Sequence, residues 1–191
     1  MPRASAEDAA ATAQRILETA TARFAEHGYA AASADDIAHA AGVTRGAVYH
    51  HYQSKPGLFA AVASAQQRMI ADAIASATEN VAAGDALRAG SHAFLDAITE
   101  GPAVRVLLVD GPTVLSWDEW RQGDAAGPEA ELRTGLAEAG IAPALQGALA
   151  AALSGAMNEL ALWLSRAPAD ASARRQAHDA LDVLLANILP E

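Results

Sequence analysis

The chain has 191 residues, a formal net charge of −10 and an apolar content of 52%, with 19% charged residues. This length and composition are typical of a folded protein of one or two domains, because disordered chains are poorer in apolar side chains. The chain contains no cysteine, which excludes disulfides, thiolate metal sites and cysteine nucleophiles. The N-terminal segment is polar and acidic, unlike a signal peptide, so we expect a cytoplasmic protein.

Alanine, leucine and glutamate dominate, and no run of alternating β-branched residues occurs, which predicts an all-α protein. Gly28 and Gly42 each follow a helical segment, and Pro56 lies in the first turn of a long one. Ser33 and Thr44 precede two short segments, where their hydroxyls can cap the helix N-termini. The expected helices cover residues 9–26, 34–41, 45–52, 54 to beyond 74, 85–100, 102–109, 116–139 with an interruption allowed at 127–128, 144–165 and 172–188.

One apolar segment, residues 141–164, is long enough to cross a bilayer. It contains a proline, a glutamine, an asparagine and a glutamate, and alanine and glycine make up much of the rest. A central charge costs about 2.5 kcal/mol or more in a bilayer, whereas alanine contributes little transfer free energy. We therefore expect a buried helix packed against protein, and no membrane partner.

The two short helices joined by "AAGVT" make a helix-turn-helix pattern over about residues 33–52, with Gly42 in the tight turn. From residue 37 to residue 71 the sequence has no aspartate or glutamate, but it has Arg45, Lys55 and a second arginine. An acid-free surface is needed to dock on the phosphate backbone, and a short exposed helix suits the DNA major groove. This segment therefore predicts DNA binding, although the chain as a whole is acidic.

Residues 10–70 resemble the DNA-binding domain of the TetR (tetracycline repressor) family of bacterial regulators. The resemblance is carried by "ILETATARFAEHGYAAASADDIAHAAGVTRGAVYHHYQSKPGLFAAV", in which many positions recur at the spacing typical of the family. Tyr52 replaces the usual phenylalanine, and Pro56 and Gly57 replace the commoner polar pair after the lysine. The resemblance implies an all-α fold: an N-terminal three-helix helix-turn-helix domain, then a C-terminal helical ligand-binding and dimerisation domain over 80–191.

The resemblance places the DNA contacts on the second short helix and just after it, and side-chain chemistry gives them roles. Arg45 is expected to read guanine through paired hydrogen bonds to O6 and N7, and the Ala47 methyl to touch a thymine methyl. Thr44 can offer its hydroxyl or N–H to a phosphate, and Lys55 is a point charge for the backbone. The expected DNA-contacting residues are Thr44, Arg45, Gly46, Ala47, Tyr49, His50, His51 and Lys55.

Two alternatives apply to the aromatic side chains of this helix. His50 and His51 are adjacent, so they point about 100° apart and cannot chelate one metal ion as an i, i+4 pair would; no metal site is expected. Tyr49 could be core filler, but Val48 already occupies the inward position, which favours a DNA contact. The residues assigned to the core are Ile37, Val43, Val48, Tyr52, Leu58 and Phe59.

Palindromic DNA sites are commonly read by twofold dimers, so the sequence should also contain a dimer surface. Apolar side chains on the last two expected helices repeat at helical spacing, and the resemblance implies a bundle of two such helices from each subunit. The alternative is that these stripes face only the core of their own subunit. The expected interface residues are Leu149, Leu153, Leu160, Leu181, Leu184 and Ile188.

Members of the family usually hold a small-molecule effector in a cavity among the central helices, which the resemblance also implies here. Asn158, His92 or Arg105 could orient such a ligand, whose chemistry the sequence does not indicate. The alternative is that the large apolar residues are plain core. The expected ligand-binding residues are Phe94, Ile98, Leu107, Trp117, Trp120, Met157 and Asn158.

The resulting interpretation is a homodimeric transcriptional regulator, a repressor that a small-molecule effector releases from a palindromic double-stranded DNA operator. One alternative is a DNA-binding regulator without an effector. A second is a small helical enzyme that uses the central cavity, but Ser91-His92 and Asp118-Glu119 are only sequence neighbours without a recognised catalytic spacing. No catalytic residue and no cofactor are expected.

Overall fold

The computed structural model describes residues 6–116, 128–166 and 170–188, and every regular element in these ranges is helical, which confirms the predicted all-α class. The α-helices are α1 (Ala6–Ala31), α2 (Ala34–Ala40), α3 (Arg45–Tyr52), α4 (Lys55–Thr78), α5 (Ala83–Thr99), α6 (Gly111–Val114), α7 (Pro128–Glu138), α8 (Pro143–Leu164) and α9 (Ala171–Ile188), and a π-helical segment covers Val104–Asp110.

Side-chain caps and one glycine set the boundaries of the first helices. The Asp36 N–H donates to Ser33 Oγ at 3.0 Å and the Ala47 N–H donates to Thr44 Oγ1 at 3.2 Å, which confirms both predicted N-caps. Gly28 has φ 76° and ψ 166°, so α1 breaks at the predicted glycine, although a further helical turn follows it. Sequence-local interactions are therefore enough to place α2 and α3.

The N-terminal core is built around three aromatic rings, those of Phe24, Tyr29 and Phe59. Their centroids lie 5.1–5.8 Å apart, and Phe59 meets both other rings edge to face. The Tyr52 hydroxyl donates to the Ala13 carbonyl at 2.8 Å, which fixes the end of α3 on α1. Of the residues assigned to this core, Ile37, Val48, Leu58 and Phe59 are fully buried, and Val43 and Tyr52 are partly buried against it.

Helix α4 belongs to both halves of the molecule. Its first turns bury Leu58 and Val62 in the N-terminal core, and its later turns bury Ile70 and Ile74 in the C-terminal one. The buried apolar residues form one continuous cluster through both halves. Helix α4 is therefore one packed element shared by the cores of both halves.

The middle of the chain departs from the predicted helices. The helix expected over 102–109 is a π-helical segment, in which each turn holds an extra residue that apolar periodicity does not distinguish from an α-helix. Of the helix expected over 116–139, Ser116 itself has no regular secondary structure. The next described helix begins at Pro128, and residues 117–127 of the expected helix lie outside the described residues.

The sequence predicts a buried helix in this segment, and α8 is buried only in part. By length and composition it is the one described helix able to cross a membrane, and 33% of its most apolar window is buried in the subunit. One face, with Ala150, Leu153, Met157 and Ala161, packs inward. Leu160 and Leu162 are partly buried against the same core, and Trp163 is exposed.

Candidate DNA interface

Helix α3 turns one face to the core and the other to solvent. Val48 is fully buried and anchors the helix, so the remaining side chains of the helix are left outside or at its edge. Of the expected DNA contacts, Thr44, Arg45, Gly46 and His50 are exposed, and Ala47, Tyr49, His51 and Lys55 are partly buried. The N-terminal turn and the outer face of α3 are thus accessible to a DNA groove.

Arg45 is held by two neighbours at the start of α3. Its Nη1 donates to Asp35 Oδ2 at 2.8 Å and its Nη2 donates to the Tyr49 hydroxyl at 3.2 Å. The guanidinium carbon also lies 5.2 Å from the centroid of the Tyr49 ring. The hydrogen bond to Tyr49, followed by the charge of Asp35, raises the pKa of Arg45 further, so the side chain stays cationic.

Sequence reasoning missed Asp35 as part of this site. The acid-free segment begins at residue 37, but the packing of α2 against α3 brings the Asp35 carboxylate back beside the guanidinium that is expected to read a base. The signal was present only as an acidic residue in the first turn of α2, where carboxylates are common for helix-dipole reasons. The surface around Arg45 therefore includes one carboxylate, that of Asp35, which lies outside the acid-free segment of residues 37–71.

The two adjacent histidines at the end of α3 contact each other. The His50 and His51 ring centroids lie 5.3 Å apart and the ring planes meet at 73°, an edge-to-face arrangement. Within the part of the chain that the structure describes, no three histidine, aspartate or glutamate side chains are grouped to hold a metal ion. Imidazole nitrogens such as these can hydrogen-bond to phosphate.

Lys55 lies at the first residue of α4, next to the end of α3. Its Nζ stands 4.2 Å from the centroid of the Tyr29 ring, a cation–π contact that fixes the direction of the side chain. A cation at a helix N-terminus opposes the helix dipole, so an anion beside Lys55 would relieve an unfavourable interaction. The position suits a phosphate contact.

A junction ties the base of this domain to the π-helical segment. The Tyr29 N–H donates to Asp110 Oδ2 at 2.9 Å, and Arg105 Nε lies 3.7 Å from the same carboxylate oxygen. The Arg105 guanidinium covers Gly28 so closely that a Cβ atom there would overlap it. Arg105, expected among ligand-orienting groups, thus contacts the DNA-binding domain, and it also borders a smaller cavity of about 360 Å³.

A larger cavity of about 550 Å³ opens between α4, α5 and α7. Its walls combine apolar and polar side chains, and its polar edge includes the exposed carboxylates of Glu131 and Glu138. Ser91 is 3% exposed, lines this cavity, and its hydroxyl has no hydrogen-bond partner among the described residues. Such a cavity can hold a small molecule, and a buried hydroxyl without a partner favours a ligand that supplies one.

The structure separates the expected ligand-binding residues into groups. Phe94 and Met157 line the 550 Å³ cavity. Ile98, Leu107 and Asn158 instead line a space of about 20 Å³, too small for a ligand, where Ile98 and Leu107 are core residues. Trp117 and Trp120 lie outside the described residues. The apolar walls that sequence reasoning missed come mainly from Ile74, Leu87 and Leu132.

The residues expected at the dimer interface also differ in how deeply they are buried within one subunit. Leu153 and Leu181 are 2% and 0% exposed within one subunit, so they pack into its own core and leave little surface for a partner. Leu149, Leu160 and Ile188 are partly buried against the same core, and Leu184 is 40% exposed. Helical periodicity reveals apolar stripes but not which stripe faces inward. The exposed large apolar residues of α8 and α9 are Leu145, Trp163, Val183 and Leu184.

A three-helix helix-turn-helix domain joined through α4 to a helical domain with a cavity defines a class of helix-turn-helix DNA-binding proteins. Residues 16–62 match the family model described as "Bacterial regulatory proteins, tetR family". Residues 84–188 match the model described as "Tetracyclin repressor-like, C-terminal domain". The chain therefore belongs to the TetR family of bacterial regulatory proteins.

Similar proteins agree with this assignment. The probable acrEF/envCD operon repressor of Escherichia coli K12 is 46% identical over 59 residues, 31% of this chain and 27% of that protein. The Tn10 TetC protein of Escherichia coli is 31% identical over 113 residues, 59% of this chain and 57% of that protein. The matches thus span about a quarter and a little over half of these relatives.

A solved TetR-family transcriptional regulator from Pectobacterium atrosepticum superposes with a TM-score of 0.75 at 28% identity, covering 98% of this chain and 99% of that one. The regulator PfmR from Thermus thermophilus superposes with a TM-score of 0.66 at 27% identity, covering 92% and 97%. Both similarities extend over the helix-turn-helix and the helical domain together.

Proposed function

We propose that the protein is a homodimeric repressor that binds a palindromic operator and is released from it by a small molecule held in the 550 Å³ cavity. The observation that carries the proposal is the exposed N-terminal turn of α3, which presents the cationic Arg45 from a rigidly anchored helix. Family membership supports action on DNA in the cytoplasm.

In the proposed complex α3 lies in the major groove. Arg45 reads a guanine, and Ala47 with Gly46 lets the helix approach the base edges. Thr44, Tyr49 and the two histidines that follow bind phosphates, and Lys55 adds a backbone contact from α4. Sequencing the DNA fragments that the purified protein captures from its source genome should return one palindromic sequence; capture without any shared sequence would contradict specific binding.

Dimerisation is proposed through the outer faces of α8 and α9. A single helix-turn-helix makes few contacts, whereas two copies spaced by about one DNA turn, roughly 34 Å, read both half-sites. Trp163, Val183 and Leu184 remain exposed on these helices in one subunit, and a second copy would remove them from water. The proposed interface is therefore centred on exposed residues, and Leu153 and Leu181 support it from below.

Replacing Val183 and Leu184 together by glutamate should convert the dimer to monomers, because two charges would then be buried against a like surface. Size-exclusion chromatography with light scattering measures the mass directly. Replacing Ala10 and Ala11 by glutamate adds the same two charges at or near the surface of α1 and should leave the dimer intact. A double variant of α9 that remains dimeric would overturn the proposed interface.

Release from DNA is proposed to act through α4. Ile74 and Thr78, near its C-terminal end, line the cavity, and Lys55 starts its N-terminal end beside α3. A ligand that prefers one position of α4 would change the spacing of the two α3 helices and lower operator affinity. A ligand indifferent to that position would have no effect.

Replacing Thr134 by tryptophan should block the cavity, because this residue is exposed at the cavity wall on α7 and an indole would occupy the entrance. We expect a metabolite that raises the wild-type Tm and releases DNA to lose both effects, while DNA binding persists. Thr134→Ser is the matched control and should behave as wild type. If the metabolite acts equally on the tryptophan variant, the effector binds elsewhere; if no metabolite acts on the wild type, the regulator works without one.

A further inference from the structure

Four side chains that none of the proposed functions uses form a hydrogen-bonded chain between α5 and α9. His92 Nε2 lies 2.9 Å from Asp182 Oδ1, His178 Nε2 lies 3.0 Å from Asp96 Oδ1, and the two Nδ1 atoms lie 2.7 Å apart. We call His92 and His178 the imidazole pair. Both side chains are mostly buried, 27% and 19% exposed, although the residues are 86 positions apart in sequence.

The two rings meet edge to edge. Their planes differ by 23° and their centroids lie 4.7 Å apart, whereas rings in face-to-face contact would keep all atoms about 3.5 Å apart or more. The 2.7 Å separation between the Nδ1 atoms is therefore a hydrogen bond. One Nδ1 must carry a proton and the other must offer its lone pair.

Counting protons along this chain gives a definite charge state. Each Nε2 faces a carboxylate oxygen, which only accepts, so both Nε2 atoms carry protons. With one proton between the Nδ1 atoms, the pair holds three ring protons: one ring is an imidazolium and the other is neutral. The hydrogen bond from His92 and the nearby positive charges lower the pKa of the Asp182 carboxyl, which keeps this acceptor ionised.

The charged groups that face the imidazole pair balance one another. Arg88 and Asp96 come from α5, and Arg174 and Asp182 come from α9. Arg174 Nη1 lies 3.0 Å from Asp96 and Arg88 Nε lies 3.5 Å from Asp182, so each carboxylate has an arginine partner beside its histidine. The shared proton therefore gives the whole cluster one net positive charge.

We propose that this shared proton locks α9 to α5, so that the packing of the two helices is strongest at intermediate pH. Adding a fourth proton removes the lone pair between the rings and sets two imidazolium ions against each other. Removing the third proton leaves either an Nε2 lone pair that faces a carboxylate or no proton between the two Nδ1 atoms. Either change costs one of the partly buried hydrogen bonds that join the four side chains.

The shared proton joins the helix that forms part of the cavity wall, α5, to the helix that carries part of the proposed dimer face, α9. Helix α5 carries Ser91 and Phe94 of the cavity, and α9 carries Val183 and Leu184, which are exposed on the proposed dimer face. Protonation of the imidazole pair would thus change how the cavity wall sits against the dimer helix. The lock itself rests on the contacts between α5 and α9 and does not require the effector or the dimer.

Thermal unfolding of the full chain across about pH 5 to 8.5 tests the lock. The Tm difference between wild type and His178→Gln should pass through a maximum of about 3–8 °C within the range where histidine titrates, and shrink on both sides. His92→Gln should give the same profile, and the double variant should lose little more than either single one. His39→Gln, an exposed histidine on α2, is the control and should give a flat difference.

Nitrogen-15 NMR of the histidine rings in the wild type adds a readout that does not depend on a variant folding. It should show one imidazolium and one neutral ring joined through Nδ1 at the pH of the maximum. Two rings that titrate independently, a pH-independent Tm difference, or additive single variants would overturn the proposal. So would loss of the stabilisation on adding EDTA, since the rings would then be metal ligands. Normal operator binding by His178→Gln would leave the proposed function intact.

Discussion

Arg45→Ala is expected to lower operator affinity by about 1–3 kcal/mol per half-site and to relax the preference at one base pair in each. The cause is the loss of a paired hydrogen bond from a guanidinium that Asp35 and Tyr49 hold at the start of α3. Binding to a panel of operators, each changed at one base pair, measures both effects at a fixed salt concentration. An unchanged preference at every position would contradict base reading by Arg45.

Two further variants separate base reading from charge. Lys55→Ala should weaken binding to all sequences alike and reduce the slope of affinity against salt by about one counterion, because a phosphate contact carries no sequence information. Asp35→Asn removes the carboxylate beside Arg45 and should raise affinity for all sequences while the base preference persists. A sequence-selective loss in Lys55→Ala would show that the ammonium reaches a base.

Gly28→Ala is expected to destabilise the folded chain by about 2–4 kcal/mol, which lowers Tm by about 4–16 °C at this chain length. Two effects combine at this position. Its backbone, at φ 76° and ψ 166°, lies in a region that essentially only glycine adopts. The new Cβ would also overlap the Arg105 guanidinium and displace it from the junction with Asp110. Thermal and urea unfolding measure the loss.

The two effects at Gly28 can be distinguished. Gly42 has a positive φ of 66°, but an added Cβ there would meet nothing within 4 Å, so Gly42→Ala reports backbone strain without a clash. Combining Gly28→Ala with Arg105→Ala should recover part of the lost stability, because the clashing group is gone. Strictly additive losses would show that Arg105 does not press on Gly28.

The junction at Gly28 also bears on how the two domains communicate. It fixes the DNA-binding domain to the π-helical segment at one point, while α4 joins the domains at another. Two attachments restrict the rotation of one domain against the other more than a single helix would. We expect Asp110→Asn, which weakens the contact with the Tyr29 N–H and with Arg105, to reduce the response of DNA binding to an effector more than DNA binding itself.

Much of the DNA interface follows from short-range chemistry. The bounds of α3, its Thr44 cap and the inward position of Val48 match the sequence prediction, because caps and helical hydrogen bonds join residues only a few positions apart. The exposure of Arg45 and His50 follows from the same periodicity. Asp35 was missed since its distance to Arg45 depends on the angle between two helices, which no local pattern specifies.

The C-terminal half was predicted less well, for a physical reason. Helix α8 is nearly apolar all round, so periodicity does not distinguish the stripe that packs inward from one left for a partner. Leu153 of α8 and Leu181 of α9 pack into the core of their own subunit. The division of the expected ligand residues between a real cavity and solid core depends on how well neighbouring helices fill space.

Local sequence chemistry alone established an all-α chain, the helix-turn-helix with its caps, and the inward position of Val48 on α3. Only the packed structure decided the cavity between α4, α5 and α7, the junction at Gly28, the Asp35–Arg45 pair and the imidazole pair. The difference lies in range: caps and helical periodicity act within about one turn, whereas these contacts depend on helix packing angles set by the whole core.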